Sequence, residues 1–126
     1  MKKNAFIKLG CGALVQLVTN KESCCETLPS GFELVTPKTQ DATTEKHVPY
    51  IEEKENGYLV KVGKETKHPM QEAHFIEFIE LEIDEDLLYR KYLKPGQEPE
   101  VFFEVPKGKD IVAREYCNIH GLWSSK

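Results

Sequence analysis

Near the end of the chain, Tyr116-Cys117-Asn118-Ile119-His120-Gly121 sets a thiol and an imidazole three positions apart. Both side chains can reach one transition-metal ion, because thiolate sulfur and imidazole nitrogen suit iron, copper and zinc. Taken alone, C-x-x-H is an unspecific spacing. The remaining histidines sharpen it: the chain has 4 in all, and the other three, His47, His68 and His74, lie upstream. If these positions converge, they make a site of four imidazoles and one thiolate. Each residue also has an ordinary reading. His68, before Pro69, reads as a loop residue, Cys117 as a buried core thiol, Glu45-Lys46 as a solvated pair and Trp123 as packing.

To bring these residues together the chain needs a rigid scaffold, and its pattern is one of short strands. The 126 residues fit one core with a short appendage, and 40% hydrophobic with 30% charged residues reads as globular. A net charge of -4 and scattered lysines leave no basic face for nucleic acid. No apolar run approaches the ~20 residues that span a bilayer. Lys2-Lys3 ahead of Cys11 invites a lipoprotein reading, but only Phe6 and Ile7 stand between the charged start and Lys8. Without an apolar h-region the expectation is a cytoplasmic protein with no membrane partner.

From Glu45 onward the spacing predicts an all-β, immunoglobulin-like sandwich, with residues 37–126 as its domain. Val48 to Glu52 is extended, and Glu55-Asn56-Gly57 carries a hairpin signal. Tyr58, Val60 and Val62 alternate with Leu59 and Lys61. Lys64 to Met70 is a loop, and Gln71 to Ala73 could form a helical turn. Phe75 to Ile83 is a long strand with Ile79, Leu81 and Ile83 on one face and Glu80 and Glu82 on the other. Leu87 to Leu93, the alternating Val101, Phe103 and Val105, and Ile111 to Tyr116 complete the set of five or six strands.

Residues 1–36 read as a small separate module. Ala13 to Val18 and Phe32 to Val35 can form strands, with a turn at Thr19 to Ser23, and Pro37 to Thr44 reads as a polar linker. Cys11, Cys24 and Cys25 are either free thiols in a small hairpin unit or the remains of a thiolate knuckle. A tetrahedral site would need a fourth ligand, and no further cysteine or histidine is local. Adjacent Cys24-Cys25 and distant Cys117 do not resemble the spacing of a disulfide scaffold.

The set Glu45-Lys46-His47-Val48-Pro49, Lys67-His68-Pro69-Met70, His74 and Cys117-Asn118-Ile119-His120-Gly121-Leu122-Trp123 resembles the superoxide reductases, the family of desulfoferrodoxin and neelaredoxin. The likeness extends through Gly57-Tyr58-Leu59-Val60-Lys61-Val62-Gly63, Leu93-Lys94-Pro95-Gly96 and Ala113-Arg114-Glu115-Tyr116, covering most of residues 45–123. It implies one mononuclear non-haem iron, with His47, His68, His74 and His120 as equatorial ligands and Cys117 as the axial thiolate. It also implies that Glu45 can occupy the sixth position in the oxidised state, and that Lys46 attracts superoxide and assists protonation through water. The reaction implied is reduction of superoxide, with one electron and two protons, to hydrogen peroxide. An external donor such as rubredoxin supplies the electron, and no dioxygen forms.

Elementary chemistry agrees with that assignment. Four neutral imidazoles leave the iron cationic and receptive to an anion, while a thiolate ligand pushes electron density onto the metal. A lysine beside the site raises anion on-rates even on an acidic protein. The N-terminal module departs from the two-iron members of the family. There, a C-x-x-C pair and an adjacent cysteine pair hold a second iron; here Cys11, Cys24 and Cys25 match three positions, and Lys8 replaces the fourth. An ammonium is no thiolate, so one iron per chain is expected. The module resembles desulforedoxin and is expected to support a homodimer, with a tetramer left open. The rival readings are a blue-copper electron carrier with Met70 as its weak axial ligand, and a non-catalytic redox sensor on the same sandwich.

Overall fold

The computed structural model describes residues 1–20, 27–41 and 46–126. Among these residues there are ten strands, in three antiparallel sheets, and no helix. The chain forms two compact units, Met1–Thr36 and Pro37–Lys126. The first holds β1 (Phe6–Leu9), β2 (Leu14–Gln16) and β3 (Phe32–Val35), in the order β2-β1-β3. Sequence reasoning found β2 and β3 but missed the central strand, whose Lys8 interrupts the apolar signal. Part of the Thr19 to Ser23 turn, together with Cys24 and Cys25, lies outside the described residues.

The second unit is a β-sandwich. One sheet runs β4 (Pro49–Lys54), β5 (Gly57–Val62) and β8 (Glu100–Phe103). The other has the order β10-β9-β6-β7, built from β6 (Ile76–Ile83), β7 (Leu87–Tyr92), β9 (Ile111–Cys117) and β10 (Gly121–Ser124). The core between them joins Tyr58, Val60 and Val62 of β5 to Ile79, Leu81 and Ile83 of β6, with Val101, Phe103, Ala113 and Cys117. The period-2 alternation read from β5 and β6 is thus the alternation that fills the core. β10 escaped sequence reasoning because Gly121-Leu122-Trp123-Ser124 is too short to show alternation.

Two turns differ from their sequence readings. Gln71 to Ala73 is not helical: the Gln71 and His74 backbones exchange N–H···O bonds of 3.0 and 2.9 Å, closing a tight loop. The hairpin at Glu55-Asn56 forms as expected, with Lys54 paired to Gly57, but Asn56 has no positive φ. The glycine is needed for another reason, since a Cβ at Gly57 would lie 1.9 Å from the Phe103 carbonyl oxygen. The β6–β7 turn takes the left-handed conformation without glycine, at Asp84 (φ 54) and Glu85 (φ 58). The Asp84 carboxylate accepts from the Lys109 and Asp110 amides at 2.9 and 2.7 Å.

On the outer face of the four-stranded sheet Glu80 is fully buried, with Arg90 and Arg114 on its two oxygens. Glu82 takes a second nitrogen of Arg114 at 2.9 Å. These charges are paired as burial demands, and they tie β7, β6 and β9 together on the face that the apolar core does not reach. Backbone crowding gives the first expectation: Gly57→Ala should lower stability by about 1–3 kcal/mol, as overpacking does. Urea unfolding reads this, and an unchanged midpoint would show that the β5–β8 pair can spread to admit a methyl group.

Candidate metal centre

The local structure of the C-terminal motif follows from its hairpin. Cys117 ends β9 and pairs with Gly121 at the start of β10, leaving Asn118-Ile119-His120 as a three-residue loop. Gly121 (φ 83) supplies the left-handed residue that such loops end on. The tight turn folds His120 back over Cys117: the His120 amide points at Sγ at 3.4 Å, and His120 Nδ1 lies 3.8 Å from the same sulfur. Asn118 clamps the loop to the segment before β6. Its Oδ1 accepts from the Phe75 amide at 2.9 Å, its Nδ2 donates to the Ala73 carbonyl at 3.1 Å, and its own amide donates to the Phe75 carbonyl at 3.1 Å. The C-x-x-H hairpin is thereby fixed to the residues flanking His74.

The structure brings together His47, His68, His74, Cys117 and His120, with one donor atom from each lying within 4.8 Å of all the others. The four imidazoles close a ring, His47–His68–His74–His120, with neighbouring centroids 4.9, 4.7, 5.0 and 4.6 Å apart and planes crossed by 66–79°. Cys117 is fully buried and His68 is 2% exposed, whereas His120 is exposed. The cluster therefore has a buried floor and one edge open to water.

Hydrogen bonds select which ring nitrogen faces inward. His68 Nδ1 lies 2.7 Å from the Pro69 carbonyl, which can only accept, so its proton sits on Nδ1 and Nε2 keeps a lone pair. His47 Nδ1 is paired in the same way with Asp41 Oδ1 at 2.9 Å. His47 Nε2 and His120 Nδ1 approach to 3.0 Å. His68 Nε2 and His74 Nε2 are buried with no hydrogen-bond partner among the described residues. Orphaned buried nitrogens of this kind call for an explanation. A cation supplies one, and a set of four imidazoles and one thiol matches a soft or borderline transition metal. The cluster is suited to one iron.

Burial holds His68 neutral, lowering its pKa to about 4, with the other three imidazoles adding to the effect. His120 is lowered by desolvation and by His47, His74 and Lys38. Burial pushes the Cys117 thiol up, while the backbone N–H groups of His120 and Ile119 pull it back. Burial also raises the Glu115 carboxyl well above its usual range, and the Asp41 charge adds to this. Glu115 is opposite Trp123 in the strand register, and both of its oxygens and Trp123 Nε1 are buried without hydrogen-bond partners among the described residues.

Two neighbours of the ring, Asp41 and Lys38, were not legible in the sequence, and Trp123, read as packing, has a specific partner. Asp41 sits six positions before His47 with no motif around it. Trp123 is stacked on His47, with centroids 4.6 Å apart and planes 15° from parallel, so its packing role is against a site residue. Lys38, read as linker, bridges to Trp123 through its backbone and places Nζ 5.0 Å from the Trp123 ring and 3.1 Å from the His120 carbonyl. Lys46 is exposed beside His47. Glu45 lies outside the described residues. Met70, the axial ligand of the copper reading, accepts the Ile76 amide on its sulfur at 3.4 Å and packs against the core.

The desulfoferrodoxin family profile matches residues 39–126. A desulfoferrodoxin of Desulfarculus baarsii is 45% identical over 119 residues, spanning 92% of this chain and 90% of its own. A superoxide reductase of Pyrococcus abyssi is 37% identical over 107 residues, spanning 72% of this chain and 93% of its own. The crystal structure of the superoxide reductase from Treponema pallidum superposes with a TM-score of 0.70 at 28% identity, covering 97% of each chain. The fold and cluster define a β-sandwich iron protein. The chain belongs to the desulfoferrodoxin family, which includes the superoxide reductases.

The depressed imidazoles give a pH expectation for the metal-free protein. A histidine whose folded pKa lies below its unfolded value of about 6.5 contributes fully above that value. Its contribution is lost as pH falls, because the unfolded chain then takes up the proton more readily. Metal-free protein should therefore lose stability between pH about 6.5 and about 4. His68→Gln should flatten that slope in thermal unfolding, and a slope of equal steepness in the variant would remove His68 from the account.

Proposed function

We propose that the chain is a superoxide reductase, holding one iron through His47, His68, His74, His120 and Cys117. The observation that carries this reading is the convergence of four imidazole donors and one thiol within 4.8 Å, with Cys117 and His68 buried and His120 exposed. The names of the relatives point the same way. The net reaction joins one superoxide, one electron and two protons to give hydrogen peroxide. The iron, when bound, supplies the one-electron couple for that reduction.

The protein's residues do the rest. Asp41 and the Pro69 carbonyl hold the Nδ1 protons of His47 and His68, leaving Nε2 of each to the cluster. The amides of His120 and Ile119 stabilise negative charge on the Cys117 sulfur. Asn118 keeps the hairpin against the His74 segment. Lys46 would draw the anionic substrate towards the open edge and offer a proton through water, and Glu45 would offer the iron a further carboxylate donor. The electron comes from a small donor protein of the rubredoxin kind. Residues 1–36 act as a desulforedoxin-like module that has lost a ligand at Lys8 and serves assembly as a homodimer.

The blue-copper reading fits less well, since Met70 Sδ is engaged by the Ile76 amide and such a site leaves two of the four histidines unused. Mixing ferrous protein with superoxide in stopped flow should oxidise it at a rate approaching the diffusional ceiling of about 10⁸–10⁹ M⁻¹ s⁻¹. A slow reaction would defeat the proposal. Lys46→Ala should slow the encounter roughly tenfold at low ionic strength and flatten its salt dependence. An unchanged salt slope would take the steering role from Lys46. Metal analysis should find about one iron per chain, and two would overturn the loss of the N-terminal site.

A further inference from the structure

We infer that Asp41 is a positioning residue of the metal centre, one that fixes the proton of His47 and strengthens it as a donor. The inference rests on the proposed ligand set and extends it to a residue outside every motif of the sequence. Among the described residues, Asp41 accepts three hydrogen bonds, all from the same short stretch. Its Oδ1 takes His47 Nδ1 at 2.9 Å, and its Oδ2 accepts from the backbone amides of His47 and Val48, both at 3.2 Å. The carboxylate is 5% exposed and the His47 side chain 14% exposed, so water competes little for either.

The consequence follows from the inventory of an imidazole, which carries one proton when neutral. With that proton held on Nδ1 by a carboxylate, Nε2 presents a lone pair to the cluster. Without Asp41 the proton is free to sit on Nε2, where it blocks coordination. Loss of a carboxylate partner on the far nitrogen of a ligating histidine costs metal sites about 10–100-fold in affinity. The other contacts fix the plane of the ring. Trp123 stacks on one face of His47, and Oδ2 anchors the backbone at residues 47 and 48. His68 has only a neutral carbonyl in the corresponding place. The two rings are therefore held differently, His47 by a charged acceptor and His68 by a neutral one.

The test uses the full chain, with ferrous iron competed anaerobically against a chelator and the His47 tautomer read from ¹⁵N shifts of the metal-free protein. Asp41→Ala should weaken iron binding about 10–100-fold and move proton occupancy from Nδ1 towards Nε2. Asp41→Asn, which keeps a neutral acceptor, should lose only about threefold to tenfold and largely keep the tautomer, since charge-assisted bonds are roughly twice as strong. Both variants should raise the iron reduction potential, because a negative charge beside the site has been removed. If the Ala variant folds poorly, the Asn variant decides through the potential and the affinity. Unchanged affinity and tautomer in the variants, or lower thermal stability with affinity intact, would overturn the inference and leave Asp41 a loop anchor. His47→Ala serves as the reference: iron bound by it as tightly as by the parent chain would sink the ligand reading itself. A weakened His47→Ala beside an unaffected Asp41→Ala would sink the positioning role alone.

Discussion

Five atoms able to ligate a metal, gathered within 4.8 Å of one another, are an arrangement that a protein does not adopt for its own sake. Imidazole nitrogens normally find hydrogen-bond partners, and among the described residues two of these are buried without them. The strain of this convergence is relieved by a cation, and until one binds, the sandwich must supply the free energy that holds the site together. The metal centre therefore depends on the rigidity of its surroundings: the β9–β10 hairpin, the Asn118 clamp, the Gln71–His74 loop and the Asp41 anchor. The stability that metal binding adds is correspondingly large, because the ion stabilises the folded chain and not the open one.

Three separate stretches of chain contribute to the cluster, and they differ in how they are held. Cys117 and His120 share one tight hairpin, so their separation is set locally by a turn. His68 and His74 belong to the loops leading into β6, fixed by exchanged backbone bonds and by Met70 under the Ile76 amide. His47 enters from the approach to β4 and rests on side chains: a carboxylate behind it and an indole across its face. Covalent proximity fixes one pair, backbone bonding fixes the next, and packing with charge fixes the last.

The parts legible in the sequence were those with strong local chemistry. Alternation in Tyr58-Val60-Val62 and Ile79-Leu81-Ile83 gave the sandwich, and the order of four histidines and one cysteine gave the cluster. What escaped were features whose meaning arises only in three dimensions. Gly57 looked like a turn residue and is instead a site of close backbone approach. Gln71 to Ala73 has a helix-tolerant composition but closes as a tight loop between paired backbones. β1 and β10 are four-residue strands that exist because neighbours pair with them. Asp41 and Lys38 are common polar residues in a stretch with linker composition, and only the fold sets them beside His47 and His120.

The exposure gradient across the ring has a kinetic meaning. Cys117 and His68 are sealed from water, while the His120 edge stands in it. Of the five donors His120 is the most exposed, and the sealed thiol is the least accessible to chelators or oxidants. Because His120 sits on a loop only three residues long, between paired Cys117 and Gly121, it cannot swing far without breaking the β9–β10 pairing. The exposed edge of the site is thus tied to the integrity of the last two strands, and fraying of β10 would loosen His120 and Cys117 together.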